Sequence, residues 1–204
     1  AGSVWQVGEM LRPHEGGGVR VLLGDGTVLE ADGPASLVRE SAADGERERI
    51  RLREGTVSIR ARHGARPLVI AVPQGWVRVI GTVLVVSLHE GPAAGGDASP
   101  PAFCVIEVLE GTVQIEGSGV ETRSIEMRSV ETLPAGTRGI LAASGPPMRQ
   151  EIPASAPDAA QRTRLEDEAR ACLARGDERG AVLLLAAARH RMTGGAQAAP
   201  GVAE

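Results

Sequence analysis

The chain has 204 residues, enough for one domain of ordinary size and a small addition, and 42% of them are hydrophobic. Only 1% are aromatic, so the core must consist of Val, Ile, Leu and Ala, a composition that favours β-structure. The formal net charge of −4 and the few aromatic rings available for base stacking argue against nucleic-acid binding.

Up to about residue 142 the hydrophobic pattern has period two. The turn Gly24-Asp25-Gly26 lies between two β-prone runs, 19–23 and 27–31, and predicts a hairpin. Further strands are predicted at 47–53, 57–61, 68–72, 77–80, 83–88, 104–109, 113–116, 125–133 and 138–141. Many short strands separated by turn signals predict an all-β fold rather than an α/β fold.

The tripeptide Gly-Thr-Val occurs four times, beginning at Gly26, Gly55, Gly81 and Gly111. The offsets are 29, 26 and 30 residues, which suggests a structural repeat in which Gly ends a turn and Thr-Val begins a strand. We therefore expect stacked short strands in a β-solenoid-like arrangement. The alternative is a sandwich that reuses a common connection between turn and strand.

The segment 47–53 alternates strictly, with Ile50 and Leu52 on one face and arginines on the other. This basic stripe is a candidate site for an acidic partner or an anionic polymer, because guanidinium groups bind carboxylates in bidentate fashion. The alternative is a solvated face neutralised by nearby glutamates. The candidate partner-binding arginines are Arg47, Arg49, Arg51, Arg53, Arg60 and Arg62.

Proline and glycine divide the chain into a β domain, 1–144, and a Pro-rich linker, 145–157. The segment 91–102 is predicted to be a loop within a hairpin. A helical hairpin is predicted at 158–192, and a disordered tail at 193–204. The first helix of the predicted hairpin presents four residues on one face, Leu165, Ala169, Cys172 and Leu173.

The second helix of the predicted hairpin is apolar on nearly all sides and must be covered, either by the β domain or by another chain. Leu184 and Leu185 are therefore candidate partner-binding residues.

No catalytic, cofactor-binding or metal-binding residues are predicted. The four histidines are scattered, the two cysteines form no CxxC pair, and the sequence has neither a GxSxG motif nor a Walker loop. Cys104 and Cys172 are either two buried thiols or one disulfide. No apolar run reaches the length of about 18 residues that a membrane helix needs.

From 19 to 141 the sequence resembles the FecR protein domain. The resemblance includes the run from Arg49 to Gly55, the Val-Arg-Val-Ile-Gly-Thr core that begins at Val77, and the run from Val105 to Val113. The closing Leu133-Pro134-Ala135-Gly136 also fits. Residues 169–185 resemble, over a short stretch, one tetratricopeptide-type helical hairpin.

The resemblance implies a non-catalytic, all-β module of the periplasm that mediates protein–protein interaction in signalling, without a cofactor. The best-known relatives are membrane-anchored sigma regulators of iron uptake. We therefore expect an envelope protein as partner, or self-association, and contact with a membrane only through an anchor outside this sequence. The alternative function is a structural subunit of an envelope assembly that docks through its C-terminal helices.

Overall fold

The computed structural model describes residues 4–13, 17–89, 103–117, 130–142, 146–152, 159–175, 181 and 184–185. Within these residues the chain divides into two compact units, Ala1–Ile152 and Pro153–Glu204. The first contains all the described strands and the second contains the helix α1, Ala159–Ala174. The all-β prediction with a C-terminal helical part is thus confirmed, whereas the second helix of the hairpin is not.

Fourteen described strands form two seven-stranded sheets, A and B. The strands are β1 Met10–Leu11, β2 Gly18–Leu22, β3 Val28–Asp32, β4 Ser36–Glu40, β5 Glu48–Glu54, β6 Thr56–Arg60, β7 Leu68–Val72, β8 Gly75–Val79, β9 Val83–His89, β10 Phe103–Glu110, β11 Thr112–Gly117, β12 Val130–Pro134, β13 Thr137–Ala142 and β14 Met148–Glu151. Sheet A has the order β1-β4-β5-β7-β8-β11-β12, and sheet B has the order β14-β13-β10-β9-β6-β3-β2.

The chain changes sheet after every one or two strands. Strands β5 and β7 are neighbours in sheet A and run parallel, because the chain passes through β6 of sheet B between them. This segment is one coil of the predicted solenoid type. The other described strand pairs are antiparallel, as in a sandwich.

The four Gly-Thr-Val copies all lie at strand starts, as predicted. Each of their glycines has a positive φ, between 66° and 85°. The copies at Gly55, Gly81 and Gly111 mark passages from one sheet to the other, whereas Gly26 lies in the β2–β3 hairpin. A side chain of one copy binds the backbone of another, since the buried Thr82 hydroxyl donates a hydrogen bond to the carbonyl oxygen of Thr112 at 2.9 Å.

The core between the sheets consists almost entirely of Val, Ile, Leu and Ala. Trp5 is the one aromatic residue of this cluster among the described residues, and it comes from the segment before β1. Buried aliphatic residues on alternate positions, such as Ile50 and Leu52 of β5 and Ile59 of β6, contribute from both sheets. The expected aromatic-poor core is therefore observed.

Several sequence expectations need correction or fall outside the described residues. Strand β14 lies inside the segment predicted as a linker, so the β unit extends to Ile152 rather than to 144. Four residues without Pro or Gly suffice for an edge strand, and Pro147, which precedes it, is tolerated there. The predicted loop 91–102, the first part of the predicted strand 125–133, and the tail 193–204 lie outside the described residues.

In helix α1 the predicted face is observed. Ala169 and Cys172 are buried, and Leu165 and Leu173 are partly buried. The opposite side carries an exposed ion pair between Arg170 and Asp167. Of the predicted second helix, the structure describes Ala181, Leu184 and Leu185, which have helical backbone conformation.

Candidate functional site

The predicted arginine stripe begins on the outward face of β5. Arg49 and Arg51 point away from the core because Ile50 and Leu52, which alternate with them, are fully buried. Arg53 is exposed at a bulge, where the register between β4 and β5 shifts. These three arginines therefore lie on or beside the outer surface of sheet A, as the alternation predicts.

The remaining predicted arginines lie elsewhere. Arg47 precedes β5 and forms an ion pair with Asp25, in the β2–β3 turn, at 2.9 Å. Arg60 is exposed on β6 of sheet B, and the Arg62 side chain packs over Gly26. The six arginines do not form one stripe, because the chain changes sheet at Gly55 and carries Arg60 into sheet B and Arg62 past the end of β6.

Seven outward residues, one from each strand, form a row across sheet A. In order from β1 to β12 the strand register gives Met10, Val38, Arg51, Ala71, Trp76, Glu116 and Val130. A second row beside it contains Glu40, Arg49, Val69, Arg78, Gln114 and Thr132. We call the surface formed by these two rows the Trp76 face.

Most of the arginine charge on this face is neutralised locally. Arg49 donates two hydrogen bonds to the Glu46 carboxylate, at 2.8 and 2.5 Å. Arg51 donates to Glu40 across the strand pair, at 2.5 and 3.4 Å. Hydrogen bonding to Arg49 lowers the pKa of Glu46 below its ordinary value, and the same bond raises the pKa of Arg49. Much of the stripe is thus a mixed-charge surface.

Trp76 is the prominent side chain of this face, and the sequence analysis did not select it. The Arg49 guanidinium carbon lies 4.7 Å from the centroid of its ring. The ring is partly exposed, while Val69 and Ala71 on the neighbouring strand are 1% exposed. Its signal in the sequence was an aromatic residue at an outward position between buried Gly75 and Val77, in a chain with three aromatics.

The candidate leucines of the second unit have different environments. Leu185 is buried, at 4% exposure, and Leu184 is only partly buried. The expectation that this apolar segment must be covered agrees with the burial of Leu185. Their role as partner-binding residues stays a prediction.

Sheet B carries a buried ion pair that sequence reasoning missed. Arg138 of β13 is fully buried and donates hydrogen bonds to Glu107 of β10, at 3.1 and 2.5 Å. The two residues are direct cross-strand partners. Glu107 alternates with the core residues Ile106 and Val108, so it and its partner Arg138 belong to the outward face of sheet B. No local pattern pairs residues 31 positions apart before the strand register is known.

Neither cysteine is in a disulfide, and both thiols are buried. Burial raises the pKa of the Cys104 thiol, which keeps it protonated and unreactive. Within the described ranges, no three His, Cys, Asp or Glu side chains are grouped so that they could hold a metal ion. In the same part of the chain, no helix has the length and hydropathy needed to span a bilayer.

Two interleaved sheets that pack on an aliphatic core define a β-sandwich-like module. The family model described as FecR protein matches residues 10–114, slightly more than half of the chain. The chain therefore belongs to the FecR family, whose members are regulatory signalling proteins and generally non-catalytic. The resemblance seen in the sequence is confirmed.

Two solved structures share the fold. Both are crystal structures of a "putative anti-sigma factor" from Parabacteroides distasonis ATCC 8503, with 17% sequence identity and a TM-score of 0.51. Each similarity covers 77% of this chain and 63% of the other, so the chain spans less than two thirds of those proteins. A search of curated proteins found no match.

Proposed function

We propose that this chain is a non-catalytic binding and signalling module of the bacterial periplasm, where it contacts another envelope protein. The observation that carries the proposal is the FecR family match from β1 into β11. In this proposal the module forms part of a membrane-anchored protein and passes the state of its partner to the anchored part. The fold shared with the Parabacteroides protein supports a regulatory role rather than an enzymatic one.

The mixed-charge Trp76 face supports protein binding in particular. Interfaces between proteins are enriched in Trp and Arg, and their charges are arranged to complement those of a partner. The Trp76 face combines a partly exposed tryptophan with arginines that are held in place by glutamates. The module needs no cofactor for such a role.

Topology and deletion experiments on the full-length gene product test the proposal. Alkaline phosphatase, which is active only outside the cytoplasm, is fused after residue 152, and green fluorescent protein is fused there in a parallel strain. We expect active phosphatase and altered transcription of dependent genes when residues 10–152 are deleted. A fluorescent, phosphatase-negative fusion contradicts the periplasmic placement, and unchanged transcription after deletion contradicts the signalling role.

A further inference from the structure

Strand β2 forms one edge of sheet B, and among the described strands its only neighbour is β3. We propose that this edge binds an extended segment of the partner protein, which adds one strand to sheet B and presents apolar residues to the core at every second position. The inference rests on the proposed protein-binding function. It identifies the binding surface and the kind of segment that fits it.

The hydrogen bonds of the β2–β3 hairpin show which backbone groups of β2 remain for a further strand. The N–H of Leu23 donates to the carbonyl oxygen of Thr27 at 2.9 Å, and a bond of the same parity closes the other end of the hairpin at 3.0 Å. Hydrogen-bonded and non-hydrogen-bonded pairs alternate along an antiparallel ladder, so the odd-numbered residues of β2 bind β3. The N–H and C=O groups of Gly18, Arg20 and Leu22 therefore point to the open edge.

The core beneath β2 is open at the same edge. Val19 and Val21 pack against the aliphatic cluster between the sheets but stay partly exposed, whereas their cross-strand neighbours Ala31 and Leu29 are each 1% exposed. A strand added beside β2 would cover both valines with its own apolar side chains, because directly paired residues point to the same face of a sheet. On the outer face, Leu22 is 72% exposed and would gain a neighbour as well. The segment that fits alternates apolar residues with polar ones.

The other three sheet edges that the structure describes carry features that oppose strand addition. Strand β1 is two residues long, β12 ends with Pro134, and β14 is preceded by Pro147. Short strands and prolines are among the means by which native sheets avoid pairing edge to edge. Strand β2 has five residues and no proline, and its one charge, on Arg20, is balanced by Glu30 of β3 at 3.2 Å. Of these four edges, β2 is therefore the one suited to accept a strand.

The spacing of the edge groups requires an extended polypeptide. Residues two apart on a strand are about 6.8 Å apart, and each offers one donor and one acceptor. An extended backbone matches this repeat. A helix uses its N–H and C=O groups internally, and a polysaccharide supplies no apolar side chains for Val19 and Val21.

A second copy of this chain fits the edge less well than a different segment. Two-fold symmetry makes a pair of β2 strands antiparallel. The register that uses the edge groups of all three residues, Gly18, Arg20 and Leu22, places Arg20 directly opposite its counterpart, and like charges in that position destabilise a strand pair. A shift by two residues separates the arginines but leaves one of the three residues of each copy without a partner in the strand. A segment of another protein avoids this conflict.

Two backbone-methylated versions of one peptide test the inference on the unmodified chain. The peptide is acetyl-Ser-Val-Thr-Val-Thr-Val-Ser-amide, which is uncharged and whose valines would lie opposite Val19 and Val21. Its Ser and Thr residues would then form the hydrogen-bonded pairs with the edge. The valine-methylated probe carries methyl groups on backbone nitrogens that would point away from β2. The threonine-methylated probe carries them on backbone nitrogens that would point at β2.

We expect calorimetry to show saturable binding of the valine-methylated probe. Binding of the threonine-methylated probe should be weaker by roughly tenfold or more, because it lacks two hydrogen bonds to the edge. In the chain, Arg20→Pro removes one edge N–H without removing a hydrogen bond to β3, and it should weaken binding of the valine-methylated probe by about tenfold. The matched control Arg20→Thr removes the charge but keeps the N–H, so the affinity should change by less than about twofold.

Melting curves show whether each variant is folded, and the comparison of the two probes needs no variant. Four results overturn the inference: no binding of the valine-methylated probe, equal binding of the two probes, equal losses in Arg20→Pro and Arg20→Thr, or unchanged binding by a folded Arg20→Pro. Light scattering on the chain alone gives a fifth. A dimer that Arg20→Pro or the probe dissociates would make a second copy the occupant of this edge.

The proposed function is judged separately in the full-length protein. Signalling that fails in Arg20→Pro but persists in Arg20→Thr supports the docking edge. If signalling survives Arg20→Pro but fails when residues 10–152 are deleted, the docking edge is wrong and the signalling role stands. If signalling survives the deletion itself, the proposed function is wrong.

Discussion

Arg39 of β4 donates two hydrogen bonds to the carboxylate of Glu48 on β5, at 2.9 and 2.8 Å. A third donor of the same guanidinium group binds the carbonyl oxygen of Trp5 at 2.6 Å. The Glu48 hydrogen bond is the main cause that raises the pKa of Arg39. This contact fastens the segment before β1 to sheet A and holds Trp5 in the core.

The two tryptophans should therefore differ sharply in their contribution to stability. Trp5→Ala leaves a cavity in the cluster between the sheets, where Trp5 is the one aromatic among the described residues, so it should reduce the free energy of unfolding by about 3 kcal/mol. Trp76→Ala, at a partly exposed site, should reduce it by about 1 kcal/mol. Urea denaturation followed by circular dichroism measures both. Equal losses would mean that Trp5 does not fill the core.

The passage between sheets at Gly55 should depend on glycine for two reasons. Its φ of +83° is costly for other residues, and a Cβ there would collide with the carbonyl oxygen of Pro34. Gly33 has the same conformation, with φ +84°, but open space around the Cβ position. Gly33→Ala should therefore cost about 1 kcal/mol for the backbone alone, and Gly55→Ala at least about 2 kcal/mol. Thermal melts of both variants measure the difference, which is the steric contribution at Gly55. Equal losses of stability in the two variants would exclude such a contribution.

The Arg49–Glu46 pair should make stability depend on acid. The pKa of Glu46 is lowered in the folded state from an ordinary value of 4.5, so its stabilising contribution is complete above that pH. The contribution is lost as the pH falls from 4.5 through the folded-state pKa. Glu46→Gln should reduce the free energy of unfolding by about 1–2 kcal/mol at pH 7, and the difference from the unmodified chain should shrink below pH 4.5.

The matched control for that experiment is Glu30→Gln. Glu30 forms an ion pair with Arg20 in which both side chains are at least half exposed, so its removal should change stability by less than about 0.5 kcal/mol. Denaturant titrations from pH 3 to 7 provide the comparison. A difference for Glu46→Gln that stays constant across this range would contradict the acid dependence.

In the second unit, Leu185→Asp should have a larger effect than Leu184→Asp. Leu185 is buried and Leu184 only partly, and an uncompensated carboxylate in a buried position is costly. If the second unit supports the structure of one chain, the melting temperature should fall at constant mass. If it docks on a second copy, light scattering should record a smaller mass. A variant with unchanged mass and unchanged melting temperature would leave the segment without either role.

The sequence was sufficient for those parts of the fold that depend on local patterns. Alternation at β5 placed Ile50 and Leu52 in the core, and the recurring Gly-Thr-Val placed the strand starts. Strand β4 was missed because its sequence, Ser-Leu-Val-Arg-Glu, does not alternate between polar and apolar residues. In the structure the three consecutive residues from Ser36 to Val38 are all buried. The sheet that a strand joins is not encoded locally. Alternation alone therefore could not show that Arg49 lies on the outer surface of sheet A and Arg60 on that of sheet B.

The candidate site was predictable only in part for the same reason. Alternation identified Arg49 and Arg51, and Glu46, the partner of Arg49, was among the nearby glutamates because it lies only three residues before it in the sequence. Glu40, the partner of Arg51, and the neighbouring Trp76 depend on the register among β4, β5, β7 and β8. In the sequence, Trp76 alternates with the apolar Val77, which is enough to indicate that the tryptophan points outward from the sheet. Its stacking on Arg49, from a strand two positions away in the sheet, requires the three-dimensional arrangement.

The alternation of the chain between the two sheets limits where recombination can cut this module without damaging its fold. The family match ends at Gln114, within β11, yet β11 pairs with β12 and β10 pairs with β13 from the residues that follow. A gene fragment that stopped there would leave two unprotected strand borders, one in each sheet, and such borders invite aggregation. Recombination should therefore move this module as an undivided block that extends at least to Ala142, and natural fusion points should lie outside it.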